Sequence, residues 1–538
     1  MSIALRPLLI AILCLAWLLP GLVAHDPWKP DEAYTFGVVF EILQGGSWLI
    51  PQIAGEAFIE KPPLFHLVAA ASAWLLSPVL PLHDGARLSV GLWIGLAMLF
   101  SALASRELNG PHHGLTAVLL LLGCLGLVVR GHQLIPDVAA LAGFAMAYYG
   151  AALALRRAAT GGFWLGTACG LIFMTQGIPE AMMVTAIAVL LPVFGAHWRK
   201  RQYALTLAVA TAAALPWLSL WPLLLYQHDH ALFAAWVQGE NLARFLGTRD
   251  MLAGLGYYLR TIPWYAFPVW PLALWALWRA LKSRQSGAPA LLLPLLGFLV
   301  TLLMLGSAAE SRELYALPIL VPLALLAVPG VSPLRRGAAN GWYWFSVMAF
   351  TFFILVGWFY WSALELGVPA RLHDHLHTIR PGYDFGFRVL PFVLGLSYTA
   401  GWFALLARLP RNPEQPLAIW AGGITAAWAL LATLFIGWVD TTKSYRSVIA
   451  DMQRAMPAQY RCMASRDLGE AQRAMLHYFA GIRSERLETK PQSACDLLLV
   501  QGVPLDDMIL PPQWQKIWEG HRPGDKDERL RLYRLQPR

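Results

Sequence analysis

HDPWKPDEAYTFGVVFEILQGGSWLIPQIAGEAFIEKPP, residues 25 to 63, decides how the rest of the chain is read. It follows directly on the first hydrophobic run and holds the densest cluster of ionisable residues before the C-terminal tail. Pro30 disfavours helix for Lys29, so Asp31 and Glu32 open a new segment, and acids at a helix start are favoured by the helix dipole. From Ala33 to Gln44 apolar residues recur at helical spacing (Phe36, Val39, Phe40, Leu43), which predicts a short helix on a membrane surface with its polar face toward water. Gly45-Gly46 ends it. Glu60-Lys61-Pro62-Pro63 then sets an acid and a base before two prolines that fix the backbone and donate no N–H. The expectation is that this loop forms the floor of an active site at a membrane face.

Composition supplies the membrane. Of 538 residues, 57% are hydrophobic and 14% charged, with a mean hydropathy of +0.51. That is too apolar for a soluble protein of this size and predicts an α-helical polytopic membrane protein. Runs of roughly 17 to 25 residues, long enough to cross a bilayer, fall near 7–24, 88–105, 114–130, 138–155, 163–179, 181–196, 203–226, 257–278, 289–306, 314–330, 341–364, 387–407 and 417–439, giving about thirteen spans. The first has Arg6 ahead of it and no clear small-x-small cleavage site behind, so it reads as an uncleaved span. The run from Leu64 to Leu80 is closed early by Pro78 and Pro81 and reads as re-entrant or interfacial.

The net charge of +9 is distributed by side rather than gathered for nucleic acid. Alternate connections carry Arg6; Arg106; Arg156 and Arg157; Arg199, Lys200 and Arg201; Arg279, Lys282 and Arg284; Arg335 and Arg336; Arg408 and Arg411, fourteen basic residues against Glu107 and Glu414. The opposite connections up to Asp440 carry eleven basic and eighteen acidic residues. The positive-inside rule then puts the N-terminus in the cytoplasm of a bacterial inner membrane and the Asp31 loop outside. Residues 1–440 form the membrane part, with 25–87 as its first outer loop. Beyond Asp440 the composition turns polar, and a helix (Tyr445 to Met456), a strand (Arg461 to Ser465), a helix (Gly469 to Ala480) and strands at Asp496 to Gln501 and Arg529 to Leu535 predict a small periplasmic α/β domain over 441–538. Cys462 and Cys495 lie beside its strands, where an oxidising compartment would let them pair.

The outer connections repeat polar groups close to the membrane: Asp31, Glu32, Glu60, Lys61, Arg87, His132, Asp137, Gln176, Glu180, Glu240, Asn241, Arg244, Arg312 and Tyr315. Taken singly, Arg87, Glu180, Glu240 or Arg260 reads as an interfacial anchor or half of an ion pair. Together, carboxylates and bases alternate around one face, as a cavity for a charged ligand requires.

The order of these residues resembles the lipid-linked sugar transferases of the GT-C class, especially undecaprenyl-phosphate aminoarabinose transferases and protein O-mannosyltransferases. The likeness rests on PDEAYTF through EKPP, Arg87-Leu88 opening a span, Asp137, the Thr-x-Gly of Thr175 to Gly177, GENLARF and the Tyr-x-x-Pro of Tyr315 to Pro318, over roughly residues 1 to 330. It implies attack by an acceptor on the anomeric carbon of a polyprenyl-phosphate sugar, with inversion, the lipid phosphate leaving. The acceptor would be lipid A, another glycolipid, a polysaccharide or a protein.

On that resemblance Asp31 is the base, helped by Glu32 or Asp137. Lys61, Arg244, Arg312 and Tyr315 receive the donor phosphate, and Tyr34, Glu60, Arg87 and Glu240 line the substrate. A positioned carboxylate suits proton removal and fixed cations suit a departing phosphate. The chain also departs from the aminoarabinose pattern: Tyr34 and Thr35 stand for Arg-Tyr, Phe58 for a tyrosine and Gln176 for a lysine, so the sugar stays open. No cofactor is assigned; a divalent cation at Asp31 or Asp137 is compatible, although Lys61 and the arginines could neutralise the phosphate unaided. His228, His230 and the HDHLH at His373 to His377 lack the context of a zinc motif and read as interfacial loop residues. A transporter for a lipid-linked sugar is the rival class, but inverted halves with broken spans are not evident.

Overall fold

The computed structural model describes residues 5–242, 250–284, 287–380, 383, 386–503, 510–523, 525 and 527–536. Uninterrupted apolar sequence makes helices nearly throughout the first four-fifths of the chain. Eight of them are long and apolar enough to cross a membrane: Leu82–Asn109, Ala158–Gln176, Arg201–His228, Pro289–Ser307, Glu313–Val331, Arg336–Leu366, Val389–Arg408 and Gln415–Leu434. Leu8–Leu18, Leu64–Leu76, Asp137–Leu153 and Ile178–Phe194 are apolar but shorter. The run expected near 114–130 is two helices, Gly114–Leu122 and Leu125–Arg130, and that near 257–278 is Met251–Tyr265 and Val269–Lys282. Pro268 causes the second break, since it has no N–H to donate and excludes helix from the residue before it. The Leu64–Leu76 helix, about 20 Å long at 1.5 Å per residue, falls short of a hydrocarbon core of about 30 Å.

Position in the bundle follows the spread of apolar residues. Glu313–Val331 is hydrophobic on all sides, and 89% of its apolar window is buried; Val389–Arg408 shows only 11% and turns Leu390, Leu396 and Phe403 outward. Between membrane helices close approach must come from shape. Gly162, Gly166 and Gly170, spaced four apart on Ala158–Gln176, meet the Thr206 and Ala210 carbonyls and the Trp217 ring of Arg201–His228, and a methyl on any of the three would overlap them.

The C-terminal part is a five-stranded sheet with two helices. Its strands follow the hairpin β1 (Gln52–Ile53) and β2 (Glu56–Ala57) of the first loop: β3 (Met463–Arg466), β4 (Glu485–Arg486), β5 (Leu497–Gly502), β6 (Trp514–Gly520) and β7 (Arg529–Leu535). The order is β4-β3-β5-β7-β6, parallel from β4 to β5 and antiparallel beyond. The two helices, Arg446–Ala455 and Glu470–Ala480, and three of these strands lie within a residue or two of where the sequence put them; β4 and β6 were not anticipated. Cys462 and Cys495 form a disulfide. The HDHLH residues, expected in a loop, belong to the helix Ala370–Ile379.

The Asp31–Leu43 helix does not present a polar face to water, contrary to expectation. It is buried under the Glu470–Ala480 helix, and the two touch where Gly37 leaves room for the Ala474 methyl. Its flanking charges meet partners from the C-terminal part. Lys29 pairs with Asp525 (3.1 Å) and Glu528 (3.0 Å), and Arg446 forks onto Asp26 (2.5 and 2.8 Å). Arg473 (2.8 Å) and Arg486 (3.2 Å) hold Glu56, while His477 and Arg483, each at 3.1 Å, hold Glu41. Burial works against charge on Glu41, but the His477 hydrogen bond and the nearby Arg483 guanidinium keep its carboxyl below the usual range.

Beneath that cover lies one ion pair with both side chains 1% exposed. Arg87 Nε donates to Glu32 Oε1 at 2.7 Å, and Nη1 donates to Asp84 at 2.8 Å. Nη2 donates to the carbonyls of His25 (3.1 Å) and Asp26 (3.3 Å). Glu32 also accepts the N–H groups of Leu134 (3.0 Å) and Trp28 (3.2 Å). The pair therefore ties the first loop to the Leu82–Asn109 helix and to the turn before Asp137. Arg87 and Glu32, expected as a substrate ligand and a catalytic helper, spend their hydrogen bonds on this junction.

Removing one partner strands the other charge, so Arg87→Met should cost about 3–5 kcal/mol, read from thermal unfolding of the purified protein, and adding Glu32→Gln should restore part of it. A double variant no more stable than Arg87→Met would show that the stranded carboxylate is not the cause. Gly166→Leu should separate its helix pair and cost about 2 kcal/mol or more; an unchanged unfolding temperature would contradict the packing described.

Candidate active site

Asp31 precedes Glu32 by one residue, about 100° around the helix, and so faces a different neighbourhood. Its Oδ1 accepts from Arg312 Nη2 at 2.6 Å and from the Tyr34 hydroxyl at 3.3 Å. Oδ2 has no hydrogen-bond partner among the described residues. Arg312 sits just before the helix turn that leads into Glu313–Val331; its guanidinium lies 5.7 Å from the Tyr315 ring, and its carbonyl accepts the Tyr258 hydroxyl at 3.4 Å. About a third of the Arg312 side chain remains exposed, while Asp31 is buried. Burial, then Glu60, Asp31 and Asp137, push the Tyr34 phenol well above its ordinary value, so it stays neutral and donates.

A second group adjoins the first. The two prolines after Lys61 lead into the Leu64–Leu76 helix and fix where the lysine leaves the chain. Lys61 is 5% exposed, and its ammonium donates to Gln176 Oε1. Asp137 opens the Asp137–Leu153 helix, where exposed N–H groups favour a carboxylate. It lies within hydrogen-bond reach of Gln176 and within the electrostatic range of Lys61, Glu180 and Asp31. Glu180, in the first turn of Ile178–Phe194, keeps Oε2 buried with no hydrogen-bond partner among the described residues.

The turn that carries Gln176 and Glu180 has its own support. Gly177 takes φ +107°, which a side chain would strain, and the Asn241 amide oxygen packs against it. Asn241 Oδ1 accepts the Ile178 N–H at 3.0 Å, and its Nδ2 donates to the Trp236 carbonyl at 2.8 Å. The GENL stretch thus contributes a cap for the helix that carries Glu180.

Of the residues expected at the site, the structure brings together Asp31, Tyr34, Glu60, Lys61, Asp137, Arg312 and Tyr315. Arg244 lies outside the described residues, as does the Glu240 side chain. The sequence reading missed the roles of Gln176 as partner of Lys61 and of Asn241 as cap; a Gly followed by Pro179 and Glu180 is a helix-start signature that calls for such a cap. His132 is spent structurally, with Nε2 2.8 Å from the Trp17 carbonyl and its ring between Trp17 and Trp428.

Among the described residues, the assembled face has a carboxylate with one oxygen held and one without a partner, two cations of different reach, and further acids able to bind hydroxyls. It can remove a proton and stabilise a departing anion in one buried place. No protein-family model matches the chain. In sequence it is similar to undecaprenyl phosphate-α-4-amino-4-deoxy-L-arabinose arabinosyl transferase 2 of Pseudomonas fluorescens (strain Pf0-1), 27% identical over 450 residues, 80% of this chain and 75% of that one. The enzyme named arabinosyl transferase 2 in Sodalis glossinidius (strain morsitans) is 32% identical over 332 residues, 59% of this chain and 58% of that one. Among solved structures, ArnT from Cupriavidus metallidurans bound to undecaprenyl phosphate superposes with a TM-score of 0.68 at 16% identity, covering 99% of this chain and 98% of the other. Its apo state gives 0.70. The chain therefore shares the fold of ArnT from end to end and resembles the aminoarabinose transferases in sequence over most of its length.

Proposed function

We propose that this protein is an integral membrane glycosyltransferase that moves a sugar from a polyprenyl phosphate, undecaprenyl phosphate by analogy with its relatives, to an acceptor at the outer face of a bacterial inner membrane. The acceptor is lipid A or another glycolipid or polysaccharide. The observation that carries this reading is Asp31, whose Oδ1 is pinned by Arg312 while Oδ2 has no hydrogen-bond partner among the described residues, in the same buried face as Lys61 and Asp137.

The chemistry follows from that arrangement. Asp31 Oδ2 accepts the proton of the acceptor hydroxyl as its oxygen attacks the anomeric carbon, and the bond to the phosphate oxygen breaks on the opposite face. Arg312, held by Asp31 and backed by the Tyr315 ring, presents its remaining N–H groups to the phosphate, and Lys61 adds a point charge when it leaves Gln176. Asp137 and Glu180 offer acceptors for sugar hydroxyls.

Topology completes the proposal: thirteen crossings over residues 1–440, the N-terminus and the arginine-rich connections in the cytoplasm, and residues 441–538 as a periplasmic domain. The charge asymmetry and the Cys462–Cys495 disulfide support that orientation.

Asp31→Asn should lower sugar transfer by about a hundred- to ten-thousandfold without loss of expression, measured as release of undecaprenyl phosphate from a labelled sugar donor. Undiminished turnover would place the base elsewhere. Reporter fusions after Lys200 and Arg336 should report cytoplasm and one after Thr442 periplasm; a cytoplasmic tail would overturn the orientation.

A further inference from the structure

At the far end of the helices from Asp31 lies an open cleft of about 410 Å³. The Glu313–Val331 helix runs from the Arg312 side to this cleft, a separation of about 28 Å by its length. Arg279 and Lys282, one turn apart in the last turn of Val269–Lys282, and Arg335, just ahead of Arg336–Leu366, line it with Trp275 and Trp278. No acidic residue is among its described lining, and none of the three cations has an ion-pair partner among the described residues.

We infer that this cleft binds the phosphate of an anionic glycerophospholipid in the leaflet opposite the active site. Basic residues at helix ends need only water to serve topology, so the charge does not suffice. Trp275 supplies the second observation: it lines the cleft, and its indole Nε1 is buried with no hydrogen-bond partner among the described residues. An indole N–H can only donate, so what it lacks is an acceptor such as a phosphate oxygen. The Trp275 and Trp278 rings stack at 5.1 Å with 22° between planes, and Lys282 Nζ lies 5.5 Å over Trp278. Leu274 and Leu281, exposed on the same helix, extend an apolar surface beside the cations. Acyl chains would cover that surface and a free phosphate would not, which favours the lipid.

Native mass spectrometry of the full chain in detergent, titrated with phosphatidylglycerol, phosphatidylcholine or inorganic phosphate, tests this. One phosphatidylglycerol should be retained in preference to phosphatidylcholine, a large excess of inorganic phosphate should not displace it, and Arg279→Gln/Lys282→Gln/Arg335→Gln should weaken it about a hundredfold. Trp275→Phe, which keeps an aromatic ring and deletes the donor, should weaken it severalfold with an unchanged unfolding temperature. Equal retention by the triple variant, equal binding of phosphatidylcholine, or displacement by inorganic phosphate would each overturn the assignment. Because the measurement needs no sugar transfer, its failure is separable from that of the proposed activity.

Discussion

The Arg87–Glu32 pair is the constraint on which the candidate site depends. Taking two charges out of water is costly, and their attraction compensates only where the remaining donors and acceptors are satisfied. Here Asp84, the His25 and Asp26 carbonyls and the N–H groups of Trp28 and Leu134 satisfy them. The result is a fixed junction among three separate stretches of chain. Because Asp31 is the next residue along the same helix, fixing Glu32 fixes the direction in which Asp31 points, and its meeting with Arg312, 281 residues away, becomes reproducible.

The C-terminal sheet and its helices act on the same element from above. Glu470–Ala480 packs along Asp31–Leu43, and ion pairs to Asp26, Lys29, Glu41 and Glu56 surround the contact. Several of these pairs reach water, as with Arg446 and Arg483, and each alone contributes little; they act as registration marks around an apolar contact centred on Gly37 and Ala474. The tail thus closes over the helix that carries Asp31.

How much of this was legible in the sequence divides along the same line. Local signals were sufficient where structure is local: the long apolar runs, the start of the Asp31 helix after Pro30, and the alternation of helix and strand after Arg446 all appear close to where they were expected. Non-local pairing was not legible. Glu32 read as a catalytic helper, and Glu41 as part of the polar face of a surface helix, because the residues that neutralise them stand 55 and more than 430 positions away. Gln176 looked like the loss of a charge, yet it holds the Lys61 ammonium. The glycines at 162, 166 and 170 and the small residues Thr206, Ala210 and Ala214 on Arg201–His228 share a four-residue spacing that could have announced a close helix pair.

The central claim is that acid and cations from distant loops converge on the head of one carrier lipid. Cryo-electron microscopy of the protein with an undecaprenyl phosphate tests it most directly. The phosphate should lie about 3 Å from both the Arg312 guanidinium and the Lys61 ammonium, with Lys61 drawn away from Gln176 and Asp31 Oδ2 open toward the acceptor side. A phosphate bound away from both cations, with Lys61 still on Gln176, would contradict it.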